Sequence, residues 1–307
     1  MTASTDARTS LARSLMEQVL RQGGALAPEY PLVFEESMPG RILSIEEDGE
    51  VRSACAVLSR ELITSTATIR AGLIGSGATH PDHRGRGLAS RLLATAEEEL
   101  RADGCLFSLL WADDPRFYAK RGYQPIGCEH DFTVAAHLAP KLPPCEDVRV
   151  FEERDVDSIH GLYDRHVTRV ARTPAETRSC LGTPGMETLV KDNAGQVTAY
   201  ACIGRGADLQ GVVHEWAGRP EDLGALLNAA LRRRALQGAK DLVVMAPPCA
   251  KEHAKYLRKL GACSKTGVLG MAKLLSLPAL CELVAWFLGP DGHVRIDMRP
   301  AQRTGGE

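Results

Sequence analysis

Neither sign of charge predominates in this chain: 37 basic residues stand against 39 acidic ones, a formal net of −2. No global positive field exists to hold a polyanion, so nucleic acid is not an expected partner. Cysteine pairing is missing too. The nine cysteines (Cys55, Cys105, Cys128, Cys145, Cys180, Cys202, Cys249, Cys263, Cys281) are odd in number and never form C-x-x-C. Neither a disulfide frame nor a zinc knuckle is expected; a reducing compartment is, and no metal. The longest apolar stretch, residues 268–288, is broken by Lys273, Pro278 and Glu282 and fails as a membrane span. No charged segment leads into an apolar one after Met1, so no secretory leader is read and a soluble, cytoplasmic protein is expected. The dinucleotide fingerprint G-x-G-x-x-G and the P-loop Gly-Lys-Ser/Thr are both absent.

What is present concentrates in residues 74–93, IGSGATHPDHRGRGLASRLL. Small residues run through Gly75, Ser76, Gly77, Ala78 and Thr79, and glycine inside a strand marks a bulge or a close approach of backbone to ligand. His80-Pro81 ends the strand. Gly85 and Gly87 then open a helix whose apolar positions, Leu88, Leu92, Ala96 and Leu100, recur every four residues. Such a helix start is an anion seat: unpaired N–H groups point outward, the helix dipole adds partial positive charge, and glycine lets a phosphate come close. Arg84 and Arg86 add two cations.

The set Arg84-x-x-Gly87-x-Ala89, placed directly after Ala78-Thr79-His80-Pro81, resembles the acyl-CoA site Q/R-x-x-G-x-G/A of the GNAT acyltransferase superfamily. The resemblance continues through the apolar strand at residues 106–111 into Phe117-Tyr118-Ala119-Lys120-Arg121-Gly122-Tyr123, similar to that family's F-Y-x-x-x-G-F segment, and covers residues 43–127. It implies a mixed α/β sheet flanked by helices and acetyl-CoA as cosubstrate. Ala78, Thr79, Arg84, Gly85, Arg86, Gly87, Leu88 and Ala89 would hold it.

In chain order, Leu11, Leu15 and Val19 predict a helix ended by Gly23-Gly24. The proline-bounded segment at residues 28–39 carries Glu35 and Glu36; in the family layout it walls the acceptor pocket. Residues 42–45 and 51–57 alternate as strands around the Asp48-Gly49 turn. Residues 62–69 read as a third strand, 72–79 as a fourth, and 123–132 as a last one. KLPPCED, residues 141–147, marks a boundary. Beyond it a strand is read at 148–151 and a helix at 155–166.

The pattern then repeats. Asp192-Asn193-Ala194-Gly195-Gln196-Val197 copies the turn and strand of Glu47-Asp48-Gly49-Glu50-Val51, residues 211–216 stand where 72–79 stood, a helix spans 220–237, and Lys-Leu-Gly at 259–261 echoes Lys-Arg-Gly at 120–122. Two tandem GNAT-like domains are expected: a catalytic one at 1–141, a degenerate one at 146–277, and an extension at 278–307. The extension carries a strand-like stretch at 293–298, which could be lent to the first domain. Glu221 and Asp222 at the second helix start would repel a pyrophosphate, and Leu257 stands where Tyr118 did. One working site per chain is the expectation.

Acyl transfer to an amine needs a bound donor, an oxyanion donor and a proton for the leaving thiolate. A backbone N–H near residues 77–79 suits the second. Tyr118 suits the third: a phenol near ~10 stays protonated at neutral pH and can protonate a thiolate whose acid sits near ~8.5. No glutamate lies on the 72–79 strand to act as general base; Glu35, Glu36, His80, His83, Asp113 and water remain candidates. The expected activity is N-acetylation of a small-molecule amine by direct attack on the thioester. A protein acetyltransferase acting on lysine or an N-terminus, a non-catalytic acyl-CoA sensor and a homo-oligomer are left open.

Overall fold

The computed structural model describes residues 5–35, 37–236, 238 and 241–288. The chain begins with α1 (Thr5–Arg21) and the short α2 (Pro31–Phe34), followed by β1 (Arg41–Glu47), β2 (Glu50–Ile63) and β3 (Thr68–Thr79). Next come α3 (Leu88–Ala102), β4 (Phe107–Leu110), α4 (Pro115–Ala119) and β5 (Gln124–Ala135). A second series starts with β6 (Val148–Val150), α5 (Val156–Tyr163), β7 (Arg169–Val170) and α6 (Pro174–Leu181). It continues with β8 (Glu187–Asn193), β9 (Gln196–Ile203), β10 (Val212–Ala217), α7 (Pro220–Ala235), β11 (Asp241–Ala246), α8 (Lys251–Leu260), β12 (Cys263–Leu274) and α9 (Leu277–Leu288).

These strands make one mixed sheet in the order β1-β2-β3-β4-β12-β5-β11-β10-β9-β8-β6, with β7 paired to β2. The expected mixed α/β fold is present. Each half keeps one parallel pair, β3 with β4 and β10 with β11. Each then receives the other half's last strand: β12 lies antiparallel to β4, and β5 antiparallel to β11. β5 and β12 pair with each other at the centre.

Local chemistry explains the pieces. Asp48 and Gly49 (φ 54° and 78°), like Ala194 and Gly195 (φ 53° and 88°), take the left-handed backbone of a two-residue hairpin. Along α3, Leu92, Leu93, Ala96 and Leu100 are buried against β2, β3 and β4 together with Tyr123, Met271 and Leu275. A Cβ on Gly72 would lie 2.3 Å from Leu100 Cδ1, so glycine there sets how close α3 comes to the sheet. The opposite face of β2 and β3 carries Ala54 and Ala78 under Met16 of α1 and Phe34 of α2.

Three expectations need correction. Residues 62–69 are not a separate strand: the Thr64 hydroxyl donates to the Ala67 carbonyl at 2.9 Å and accepts from the Ala67 N–H at 3.0 Å, turning the chain between β2 and β3. The helix read at 155–166 is the shorter α5, stopping at Tyr163. Within the apolar stretch 268–288, residues up to Leu274 belong to β12, and this strand is what the first half borrows. The strand read at 293–298 lies outside the described residues. No described helix is long and apolar enough to cross a membrane.

Candidate active site

β3 and β4 stay together for three positions, ending at Leu73 opposite Leu109. β3 then runs on to Thr79 with nothing paired on that side. Its register against β2 slips here: Ala54 faces Ala78 and Ala56 faces Gly75, leaving Ser76 and Gly77 opposite Cys55. Ser76 takes a left-handed φ of 50°. This is the bulge that the run of small residues suggested. The His80 N–H donates to the Arg52 carbonyl at 2.9 Å, so antiparallel alternation turns the Thr79 amide away from β2, into the gap. Ser53 Oγ donates to the Ala78 carbonyl at 3.1 Å and lies 2.9 Å from Thr79 Oγ1, fixing the strand end.

At the head of the gap sits the turn into α3. Gly85 and Gly87 have φ of +76° and +80°, and a Cβ on either would meet nothing within 4 Å. Gly87 caps the helix without a side-chain hydrogen bond. Among the described residues, no acceptor faces the amides of Gly85, Arg86, Gly87, Leu88 or Ala89. Leu88 is buried and anchors the turn, whereas Arg84, Gly85, Arg86 and Gly87 are exposed. Arg84 Nε donates to the Thr79 carbonyl at 3.4 Å, and Arg86 Nη1 stands 3.4 Å from His83 Nδ1. Free amides, a helix N-terminus and two arginines with room above them are features that suit an anion.

Tyr118 lies on α4, whose start is fixed by Asp114 accepting from the Arg116 N–H at 3.0 Å, with Pro115 in the first turn. The ring meets Tyr123 and Phe117 edge-on, with centroids 5.9 Å and 4.9 Å away. Its hydroxyl has no hydrogen-bond partner among the described residues. Burial holds the phenol above its ordinary pKa, and the nearby Cys55 and Asp113 push the same way while Arg121 opposes them. Cys55, the residue opposite the bulge, is itself pushed up by burial to about 12 and stays a thiol. Phenol and bulge therefore share one electrostatic neighbourhood. Arg121 went unnoticed in the sequence beyond its place in the F-Y-x-x-x-G segment. Its Nη1 donates to the Phe117 carbonyl at 2.6 Å and its Nη2 to Ser90 Oγ, tying α4 to the first turn of α3.

The base candidates scatter. Glu35 accepts from Ser179 of α6 at 3.0 Å, and Glu36 lies outside the described residues. His80 Nδ1 accepts from the Asp82 N–H at 3.3 Å, and His83 Nδ1 lies 3.4 Å from Glu47 Oε2. Asp113 is exposed and has no partner among the described residues. No described group of three His, Cys, Asp or Glu side chains could hold a metal ion.

A cavity of about 1290 Å³ lies elsewhere, in the second half, lined by Trp216, His166, His253, Tyr163 and Glu215 among others. Volume alone would place the site there. Chemistry argues against it: Trp216 Nε1 donates to the Met245 carbonyl at 2.9 Å, spanning the opening between β10 and β11. His253 Nε2 bonds the Gly218 carbonyl at 3.0 Å. Asp222 at the start of α7 is buried and paired with Arg219 at 2.9 Å. The Met245 and Gly218 carbonyls are already engaged, and the acids in the first turn of α7 oppose an anion at that helix start.

Comparison with known proteins agrees with the first half. Residues 27–126 match the family described as an acetyltransferase (GNAT) domain. Among solved structures, a probable N-acyltransferase of unknown function from Enterococcus faecalis is similar, with TM-score 0.70 and 14% identity over 89% of this chain and 72% of that one. A GCN5-related N-acetyltransferase from Kribbella flavida gives TM-score 0.65 and 18% identity, covering 90% and 72%. One from Anabaena variabilis gives 0.68 and 14%, covering 90% and 72%. No curated protein matches the chain. Residues 27–126 are thus similar to a GNAT acetyltransferase domain, and the chain as a whole shares the fold of GCN5-related N-acetyltransferases.

Proposed function

We propose that the protein is an N-acetyltransferase that moves an acetyl group from acetyl-CoA to the primary amine of a small molecule by direct attack on the thioester. Residues 1–141 would carry the site, 146–277 would serve as scaffold, and 278–307 as an extension. The carrying observation is the row of unpartnered amides from Gly85 to Ala89, with open space above both glycines and the β3–β4 gap beside it. The donor fits: its pyrophosphate would sit on these amides between Arg84 and Arg86, with Ala78 and Thr79 beside its pantetheine arm.

Bound acetyl-CoA supplies an activated acyl carbon and a thiolate leaving group. The chain's own residues do the rest. The Thr79 amide, turned into the gap, is the candidate donor to the carbonyl oxygen as it gains charge. Tyr118, kept protonated by burial, gives its proton to the departing sulfur as the C–N bond forms and the C–S bond breaks. The amine's proton leaves to solvent, and the Tyr118 phenolate takes a proton back from solvent to close the cycle.

The test is thiol release from acetyl-CoA with a panel of primary amines. Turnover that depends on the amine supports the reading. A second reading, a non-catalytic acyl-CoA sensor, draws on one observation: β3 carries no carboxylate. Tight coenzyme A binding without thiol release would select it.

A further inference from the structure

Trp111, the residue after β4, belongs to neither core of the first half and is 61% exposed. It is not loose. A Cβ on Gly270 of β12 would lie 2.9 Å from the Leu110 carbonyl and 3.4 Å from Trp111 Nε1, so the indole rests on bare glycine backbone. β4 parts from β3 at Leu109, which puts Trp111 at the mouth of the gap. Leu110 points into the core under α3 with Tyr118 packed against it, so alternation along the strand sends Trp111 to the opposite face. There Phe34 covers Ala54 and Ala78. Ile126, opposite Gly270 in the ladder, and Val268 are exposed as well. Two residues beyond Trp111, the Asp113 carboxylate has no partner among the described residues, yet its charge reaches Tyr118.

We propose that Trp111 and Asp113 read the acceptor, and that it is a primary arylalkylamine: its aromatic ring lies on the indole and its ammonium faces Asp113 until it gives a proton to solvent and its freed lone pair attacks. This rests on the transferase reading, with the amine arriving on the face opposite the phosphate turn. An indole carries stacked rings and attracts cations. The carboxylate supplies the counter-charge, and the exposed Ile126 and Val268 side chains offer apolar surface beside the indole.

The test pairs 2-phenylethylamine with hexylamine as acceptors and follows thiol release. Trp111→Ala should cut the preference for the aryl amine roughly ten-fold and Trp111→Phe should keep most of it. Asp113→Asn should raise KM for both amines by about ten-fold with a smaller change in kcat. Binding is read separately from quenching of tryptophan fluorescence by 2-phenylethylamine, a signal that Trp111→Phe should remove. Quenching through Trp111 without any thiol release supports the platform and sinks the transferase reading. Turnover with the same amine preference in Trp111→Ala overturns the platform and leaves the transferase. A change from dimer to monomer in Trp111→Ala, with preference unaltered, would assign the patch to a second copy and also overturn it. Neither quenching nor turnover overturns both.

Discussion

The two halves carry the same strand end with opposite outcomes. Gly77-Ala78-Thr79-His80-Pro81 closes β3, and Trp216-Ala217-Gly218-Arg219-Pro220 closes β10 and opens α7. Ala78 faces Ala54 as Ala217 faces Tyr200, so Gly77 and Trp216 hold equivalent places. Glycine leaves the gap open; tryptophan bridges it to Met245. After the proline the paths part again. Residues 82–87 delay the first helix and expose free amides, whereas Pro220 is already the first residue of α7, with Glu221 and Asp222 in its first turn. On the proposed function, a few residues decide whether one architecture presents a phosphate seat or a closed wall.

Separating the halves should have the largest effect. Residues 1–141 alone lose β12, and with it Met271 and Leu275 from the core and the Lys273 partner of Glu97 at 2.6 Å. Two such deletions at about 2–5 kcal/mol each, with the β4 edge bared, approach the ~5–15 kcal/mol total stability of a domain. This fragment should show no cooperative thermal transition by circular dichroism. A folded fragment that binds coenzyme A would break the account of strand exchange.

Next comes making the first half resemble the second. Gly77→Trp should weaken coenzyme A binding by roughly 10³-fold, about 4 kcal/mol, with little change in Tm, because nothing lies within 4 Å of a Cβ there. The reverse change, Trp216→Gly, should cost about 3–5 kcal/mol of stability and create no second binding site; calorimetry reads both.

Tyr118→Phe should lower kcat by ~10²-fold, the low end for a general acid, because a thiolate is already a tolerable leaving group. Coenzyme A affinity should stay the same. Since burial raises the Tyr118 pKa, wild-type kcat should show no loss from this group up to about pH 10.

The smallest effect sharpens the contrast by pH. His166, His214 and His253, all in the second half, are held below the ordinary histidine pKa by burial. The unfolded chain then binds more protons below pH ~6.5, so the stability these neutral imidazoles contribute is present above that pH and fades as pH falls through it. Hydrogen exchange at pH 5.5 against pH 7.5, corrected for the pH dependence of the intrinsic amide rate, should accelerate in β10 and β11 before β2 and β3. Equal acceleration in both halves would contradict this.

Much of this was legible in the sequence because it is written locally. A single glycine announced each of the turns at Asp48-Gly49 and Ala194-Gly195, the small-residue run announced the bulge at Ser76 and Gly77, and the step of four announced α3. What escaped is non-local. β12 pairs with β4 across most of the chain, Met271 with Leu110, and no local pattern states that partner. The turn after Ile63 escaped because Thr64, not glycine or proline, makes it. The plug by Trp216 was readable from the shared Ala-x-x-Pro alignment, but its meaning needed Met245, which only folding brings within reach.

Coenzyme A binding is the decisive titration, followed by calorimetry for stoichiometry and by hydrogen exchange for location. The account predicts one site per chain, with protection gathered on the amides of residues 85–89. Two sites per chain, or protection at the start of α7 around Glu221 and Asp222, would contradict it.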